Sequence, residues 1–504
     1  MKVSIYEENK NFLIAKEYNK EEIQQLKVIL NKKIQNYKFH PLCKKGLWDG
    51  NISFIDKCNR FPIGLWNYVL NEMKSFGYSV NIEGSETFFY DLDEKHFIDW
   101  VNNFFKDSEK KPRDYQIDAA IKIIKNKRSI SELATNSGKT LIIFIIFAYM
   151  KSLGIGKFLM VVPNTSLILQ TIDNFEEYNN NKMKYTIKSF YSESQNRGTD
   201  ADFVIGTYHS LNKLDKKFLK DFKIVCIDEA HYANSKSIKN IIQKCDNAEW
   251  RFGLSGTMKQ DLINADSLTI QAYLGPLINT ISSKFLIDND YATKIEIRQI
   301  ILDYLDNDLR KNLYELKKSN DPNLTGNKIF NFEKNIFRNN KKRLDYIIDF
   351  ISKCSKNSLV LFQDIKGEYG KNIYRILKEK KPDFKIIYID GNTPVNDRDK
   401  YKNMMEQEDN IIIVASALVF GTGISINNIH NIFCVEGYKS ETIVRQIIGR
   451  GMRLMAGKKV VKIIDFVDDF SVKNSKNILL KHGEEREEVY KKQGFEFNKY
   501  RVKL

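Results

Sequence analysis

Paired cysteines, long apolar runs, repeats and acidic residues are all in short supply in this chain. The six cysteines (Cys43, Cys58, Cys226, Cys245, Cys354, Cys434) are scattered, with no Cys-x-x-Cys among them. That spacing argues against a disulfide framework or a zinc site and fits a reducing compartment, with Cys226 and Cys434 inside apolar strands. The longest apolar run, Leu141 to Met150, falls well short of the ~20 residues a bilayer span needs, and it reads as a buried helix. No leader pattern opens the chain. The expectation is a soluble, cytoplasmic protein with no membrane partner. No repeat or low-complexity segment is evident. Acid is the scarcer charge: 64 Asp and Glu against 80 Lys and Arg give +16 and a pI near 9.2. Such a surplus points to a polyanion, although a chain this rich in Lys, Asn and Ile carries part of it as composition bias.

A hydrophobic content of 42% excludes wholesale disorder, and 504 residues leave room for roughly three domains. Residues 1–105 read as a small N-terminal α+β domain with an amphipathic segment, Glu21 to Ile34, and an aromatic, turn-rich patch from Tyr37 to Trp66. Trp48 in that patch could stack a base, but beside Asp49-Gly50 it reads better as a core anchor. Lys106 to Pro112 looks like a linker. From Arg113 the pattern becomes strand–helix alternation, as in a parallel sheet wrapped by helices. Strands are expected at Lys157–Val162, Phe203–Gly206, Lys223–Ile227 and Arg251–Leu254. A helical Lys- and Asn-rich stretch (Leu309 to Asp349) precedes a second series at Leu359–Phe362, Lys385–Ile389, Ile411–Val414, Ile432–Val435 and Val460–Ile464. The domains expected are 1–105, 106–284, 285–470 and a mixed-charge, helical tail, 471–504.

Chemistry concentrates in two motifs. Gly138-Lys139-Thr140 closes a loop able to wrap phosphates: helix N-terminal N–H groups face the anion, Lys139 reaches the β/γ-phosphates, and Thr140 offers a hydroxyl to Mg²⁺. Asp228-Glu229-Ala230-His231 ends an apolar run, so Asp228 can hold the metal while Glu229 polarises the attacking water. A lone Gly-Lys-Thr arises by chance and an Asp-Glu pair is usually a solvated surface; in order, each at a strand end, they outweigh those readings. The loop departs from Gly-x-x-x-x-Gly-Lys-Thr at Leu133, its first Gly position. Asn136 stands where Gly is common, and Asn tolerates positive φ.

Further segments come in fixed order. They are Arg113-Asp114-Tyr115-Gln116, Pro163-Asn164-Thr165 with Gln170, Gly206-Thr207, and Leu254-Ser255-Gly256-Thr257. Phe362-Gln363-Asp364, Gly421-Thr422-Gly423-Ile424-Ser425 and Gln446 to Arg453 complete the series. Pro163 to Thr165 and Thr207 belong at C-terminal strand ends, where hydroxyl and N–H groups suit sugar–phosphate contacts, although each Thr alone is equally well a turn former. Arg450 and Arg453, three apart, read as one helix face that can meet a γ-phosphate in a cleft between two domains, with Gln446 one turn earlier. A solvated face is the bland alternative for the arginines.

This ordered set resembles the superfamily-two helicases over roughly residues 110–470, and more closely the phage UvsW helicases. The closer likeness rests on Gly46-Leu47-Trp48-Asp49-Gly50 and Gly253-Leu254-Ser255-Gly256. It implies two tandem RecA-like parallel-sheet domains behind the small N-terminal α+β domain. It also implies ATP contacts from Arg113, Gln116, Thr135, Asn136, Ser137, Gly138, Lys139, Thr140, Gly423 and Ser425. Nucleic-acid contacts would come from Pro163, Asn164, Thr165, Gln170, Thr207, Gln363 and Thr422, and coupling from His231, Ser255, Gly256 and Thr257. The expected activity is ATP- and Mg²⁺-dependent remodelling of single-stranded and branched DNA by a monomer in the cytoplasm, the host's if phage-encoded. RNA or an RNA–DNA hybrid is the runner-up substrate. A restriction-type nuclease motor would need a Pro-Asp…Glu-x-Lys element, which is not found outside the motor. An ATP-independent annealing scaffold is a third class, separable by ATPase assay.

Overall fold

The computed structural model describes residues 2–35, 37–191, 201–258, 263–318, 326–363, 368–417, 419, 426–472 and 475–504. It divides into two compact units, Met1–Ile281 and Ser282–Leu504.

The first unit opens with β1 (Lys2–Asn9), β2 (Phe12–Glu17), β3 (Asn31–Lys33), β4 (Asn51–Ser53), β5 (Arg60–Pro62) and β6 (Ser79–Glu83). Four of them form a mixed sheet in the order β5-β2-β1-β6, and β3 and β4 pair as a separate antiparallel ribbon. The helix Lys20–Ile29 starts where Asn19 and Glu22 cap each other's backbone, and it turns Leu26 and Ile29 inward. Its core, with Leu13, Phe61, Val69 and Met73, also takes in Leu268 and Ala272 from the helix Ala265–Leu274. Gly64 lies so close to that helix that a Cβ there would stand 2.1 Å from the Gln271 carbonyl. The N-terminal sheet therefore shares its core with a helix of the neighbouring parallel-sheet domain. The expected linker is tied down as well, by an ion pair between Lys110 and Glu177.

The rest of this unit is a seven-stranded parallel sheet: β7 (Arg128–Leu133), β8 (Lys157–Val162), β9 (Ile187–Phe190), β10 (Phe203–Thr207), β11 (Phe222–Asp228), β12 (Trp250–Ser255) and β13 (Leu277–Ile281). The order is β13-β7-β12-β11-β8-β10-β9. Near-continuous apolar runs such as Phe158 to Val162 suit strands covered on both faces. With every strand parallel, the loops after β7, β8, β10, β11 and β12 leave from one edge. The helix Lys139–Ser152 buries every side chain from Leu141 to Met150, as an all-round apolar helix must.

The second unit holds another parallel sheet: β14 (Lys294–Asp303), β15 (Ser358–Phe362), β16 (Lys385–Ile389), β17 (Ile411–Ser416), β18 (Asn431–Cys434), β19 (Val460–Asp469) and β20 (Glu496–Lys503), ordered β16-β17-β15-β18-β19-β14-β20. The Lys- and Asn-rich stretch is helical at Asn307–Lys318, Gly326–Asn339 and Lys341–Ser352. The tail corrects its expected all-helical form: after the helix Ile478–Lys492 it ends as β20, paired along β14. Buried charges tie this unit together. Arg343 makes a bidentate contact with Asp468, at 2.6 and 2.9 Å, and Arg486 meets Asp465 at 3.0 and 2.9 Å. No helix among the described residues is long and apolar enough to cross a membrane.

Candidate nucleotide and nucleic-acid sites

The phosphate loop connects β7 to the helix Lys139–Ser152. Asn136 and Gly138 adopt left-handed backbone, φ 71° and 80°, so the chain can curl without the usual glycine at the first of these positions. A Cβ at Gly138 would lie 2.2 Å from the Gln116 amide nitrogen, which closes that position to any other residue. Two donors brace the loop from below: Tyr115 Oη and Gln116 Nε2 donate to the Ser137 carbonyl at 2.9 and 2.8 Å. Gln116 Oε1 in turn accepts the Arg113 N–H at 2.9 Å. Gln116, expected at the nucleotide, is thus buried with its amide engaged in shaping the loop. Lys139 Nζ rests 3.1 Å from the Leu133 carbonyl, a neutral acceptor that a phosphate can replace. Gly256 stands beside it: a Cβ there would lie 3.4 Å from both Lys139 Nζ and Thr135 Oγ1.

At the next strand end but one, Asp228 closes β11 and Glu229 turns into left-handed backbone at φ 54°. A non-glycine residue in that region stores strain of about 1–3 kcal/mol, which surrounding contacts must hold. They are present: His231 Nδ1 lies 3.3 Å from Glu229 Oε2 and 2.9 Å from Ser255 Oγ. Ser255 Oγ is 2.9 Å from the Thr257 carbonyl and 3.4 Å from Glu229 Oε2. Residues from β11 and β12 are thereby joined into one network. Burial and the neighbouring Glu229 push the Asp228 carboxyl up, against the pull of Lys139. Burial would raise Glu229 too, but the His231 hydrogen bond and the Lys139 charge outweigh it and hold Glu229 low. The two carboxylates therefore differ in proton affinity, the lower one facing His231. For Mg²⁺ the donor set fits: the ion takes one or two protein oxygens and completes its shell with phosphate and water, and Asp228 with Thr140 supplies that number. Among the described residues there is no cluster of three or more His, Cys, Asp or Glu that would make a dedicated metal cage.

The expected nucleic-acid residues divide. Asn164 caps the helix Thr165–Asn179 by accepting the Leu167 N–H at 3.0 Å, and Thr207 caps the next short helix through Ser210. Both stand at the sheet's C-terminal edge with local jobs, while Gln170 is exposed on its helix. Gln363 comes directly after β15, with its N–H on the buried Glu436 carboxylate and its side-chain amide on the Gly437 carbonyl, 3.1 Å away. Thr422, Gly423 and Ser425 lie outside the described residues.

Gln446 and Arg450 share the helix Glu441–Gly451, but Arg453 does not. Met452 caps that helix, and Thr293 takes the chain out of it, with its N–H on the Met452 carbonyl at 2.8 Å and its hydroxyl on the Arg453 carbonyl at 2.9 Å. The shared helix face expected for Arg450 and Arg453 is therefore corrected: Arg453 is held by tertiary contacts. Lys458 adds a second brace, donating to the Gly451 and Asn427 carbonyls at 3.2 and 2.6 Å. Burial lowers its ammonium to about 8. Thr293, Lys458, Glu436 and Tyr115 carry no role in the sequence reading; only Tyr115, next to Gln116, has a local signal. Trp48 is a further correction. It lies outside the N-terminal core, half-buried, its indole N–H donating to the Asn51 carbonyl at 2.9 Å and its ring 5.1 Å edge-on from His40.

A seven-stranded parallel sheet carrying a phosphate loop and an Asp-Glu-Ala-His strand end, succeeded by a second parallel sheet, defines a two-RecA helicase motor. Family models agree along the chain: "DNA helicase UvsW, N-terminal" at residues 10–96, "Type III restriction enzyme, res subunit" at 109–260 and "Helicase conserved C-terminal domain" at 341–455. The ATP-dependent DNA helicase uvsW of Enterobacteria phage T4 is 30% identical over 479 residues, covering 92% of each chain. The crystal structure of T4 UvsW aligns over 100% of both chains with 26% identity and a TM-score of 0.50. The chain belongs to the UvsW family of superfamily-two helicases. S. cerevisiae Dbp5, solved bound to RNA, matches 82% of this chain and 94% of its own at 15% identity and a TM-score of 0.52; that likeness is one of fold alone.

Proposed function

We infer that the protein is an ATP-driven DNA helicase that unwinds or rewinds branched DNA such as forks, D-loops and four-way junctions. The observation that carries this reading is the network joining Glu229, His231 and Ser255 beside Lys139, on a chain of the UvsW family. Lys139 neutralises the β/γ-phosphates, and Glu229, kept ionised by His231 and Lys139, orients and polarises the attacking water. Mg²⁺, held by Asp228 and Thr140, would supply charge neutralisation at the phosphates. The His231–Ser255–Thr257 contacts link the water-activating residue to β12, so a change at the nucleotide is felt in a neighbouring strand end. Arg450 and Arg453 are proposed to supply positive charge during phosphoryl transfer. Asn164, Thr165, Thr207, Gln363 and Thr422 are proposed to line the strand-tracking path, and the region up to residue 105 is proposed to favour branched substrates.

The test is a set of ATPase rates with no nucleic acid, single-stranded DNA, a four-way junction and RNA, run beside a strand-displacement gel. Stimulation by DNA above RNA, with displacement on the junction, is the expected result. Equal stimulation by RNA, or DNA cleavage in place of displacement, would overturn the reading.

A further inference from the structure

The two most exposed large apolar side chains among the described residues are Phe39, at 73%, and Leu47, at 72%. They stand eight positions apart in one short segment, with Leu42 at 46% between them. Single exposed apolar residues are ordinary, but an ordered cluster is a marker of an interaction surface.

The segment that carries them is braced by backbone contacts. Gly46 and Gly50 both adopt left-handed backbone, and Gly50 packs so tightly under Tyr37 that a Cβ would lie 2.5 Å from the tyrosine Cβ. The Leu47 N–H donates to the Leu42 carbonyl and the Ile34 N–H to the Gly50 carbonyl, each at 2.9 Å. The Trp48 indole closes the turn onto Asn51, and the Asn51 N–H donates to Asp49 at 3.0 Å. Backbone order is thus invested in a loop that keeps Phe39 and Leu47 in water.

The surroundings select a partner. Residues 31–51 contain five lysines (Lys32, Lys33, Lys38, Lys44 and Lys45) against one acidic residue, Asp49. Lys44 lies 5.9 Å from the Phe39 ring centroid and Lys33 4.6 Å from that of Tyr37. Exposed apolar side chains in a lysine-rich segment match one nucleic-acid feature closely. At a branch point the last base pair presents an uncovered apolar face, and the phosphates of two diverging strands pass on either side. Unstacked bases lie on apolar and aromatic side chains, and the backbones lie on lysines.

We propose that Phe39, Leu42 and Leu47, bordered by Lys38, Lys44 and Lys45, form a wedge that seats against the terminal base pair of a DNA branch point. The proposal rests on the branched-DNA reading above and gives it a site. Removing both apolar tips, in F39S/L47S, should lower the ratio of junction-stimulated to single-strand-stimulated ATPase about tenfold, the scale of one or two lost stacking contacts. Both side chains are exposed, so the variant should melt at the wild-type temperature; a melting check accompanies the assay. A second measurement needs no change to the wedge tips. Trp48 emission, isolated by subtracting W48F, should change on adding a four-way junction and stay constant with an unbranched duplex of equal length.

An unchanged ratio in F39S/L47S would overturn the wedge, as would a Trp48 signal indifferent to a junction that the wild type unwinds. The first outcome would leave an acidic protein partner as the surface's occupant. A wild-type protein that unwinds no branched substrate would instead remove the functional reading itself. The two failures are therefore distinguishable.

Discussion

The two parallel sheets use charge in opposite ways. At the C-terminal edge of the first, Lys139 rests on a backbone carbonyl, and the partly open Glu229 and His231 join the buried Ser255 in contacts of 2.9–3.4 Å. In the second, Arg343 and Arg486 are buried and each is met by a carboxylate in two-point contact, with Tyr304 and Tyr490 adding hydroxyl donors to Asp468 and Asp465. A fully matched buried pair has no capacity left for a ligand, and breaking it leaves an uncompensated charge. A lysine lying on a neutral carbonyl gains by exchanging it for a phosphate. Charged residues are abundant in both units; partner quality separates those that can act on a substrate from those that hold the fold.

The strongest way to break this comparison is Lys139→Ala, which should abolish ATP turnover while leaving DNA binding and the melting temperature near wild type. Retained DNA-stimulated hydrolysis would show that the charge at this edge is not the one that matters. Arg450→Ala and Arg453→Ala come next. An arginine at a transferring phosphoryl group is worth about 10³–10⁵ in rate, and sharing between the two should leave each with less. Both should reduce kcat far more than nucleotide affinity. Equal loss of affinity and rate would make them structural, like Arg343. Glu229→Gln keeps the backbone turn and Asp228, the proposed metal ligand, but removes the carboxylate that faces His231. A slowing of about 10²–10⁴-fold is expected with ATP still bound, and a rate within a few-fold of wild type would move the base elsewhere.

Asp468→Asn tests the other side. Removing one partner of a buried pair costs about 3–5 kcal/mol. Denaturant unfolding should therefore show a large stability loss, while turnover per folded molecule stays close to wild type. Unchanged stability would mean that the buried pair contributes little.

The smallest effect belongs to Lys458, which braces the end of the Arg450 helix. Its ammonium is lowered to about 8 by burial, with Glu406 opposing and Arg453 reinforcing the shift. Between that value and its unfolded pKa of about 10.4, the native state binds fewer protons than the unfolded chain. Stability from this group therefore rises with pH through the window. Wild type should gain on Lys458→Met as pH is raised from 8 to 10, read as the difference in melting temperature. A pH-independent difference would argue against a buried, titrating brace.

Much of the molecule is legible in the sequence where the signal is local. The apolar runs at Lys157–Val162 and Lys385–Ile389 are β8 and β16 with the same limits. β7 escapes the pattern because Arg128-Ser129-Ile130-Ser131-Glu132-Leu133 alternates polar residues, although Ser129 and Ser131 are wholly buried. β20 reads as helix because an edge strand with mostly exposed side chains carries no apolar run. The phosphate loop and the Asp-Glu-Ala-His strand end announce themselves because their residues are contiguous. Thr293 meets Arg453 across 160 positions and Glu436 meets Gln363 across 73, so no spacing rule connects them. Trp48 misleads because its Asp-Gly neighbours indicate a turn without saying which side of the turn faces solvent.

The central claim is that the open charges of the first sheet drive strand separation. The direct measurement is displacement of a labelled strand from a four-way junction by the wild-type protein and by Lys139→Ala, each with and without ATP and Mg²⁺. Displacement is predicted for the wild type only when both are present, and none for the variant despite normal junction binding. Displacement by Lys139→Ala, or by the wild type without nucleotide, would contradict the claim.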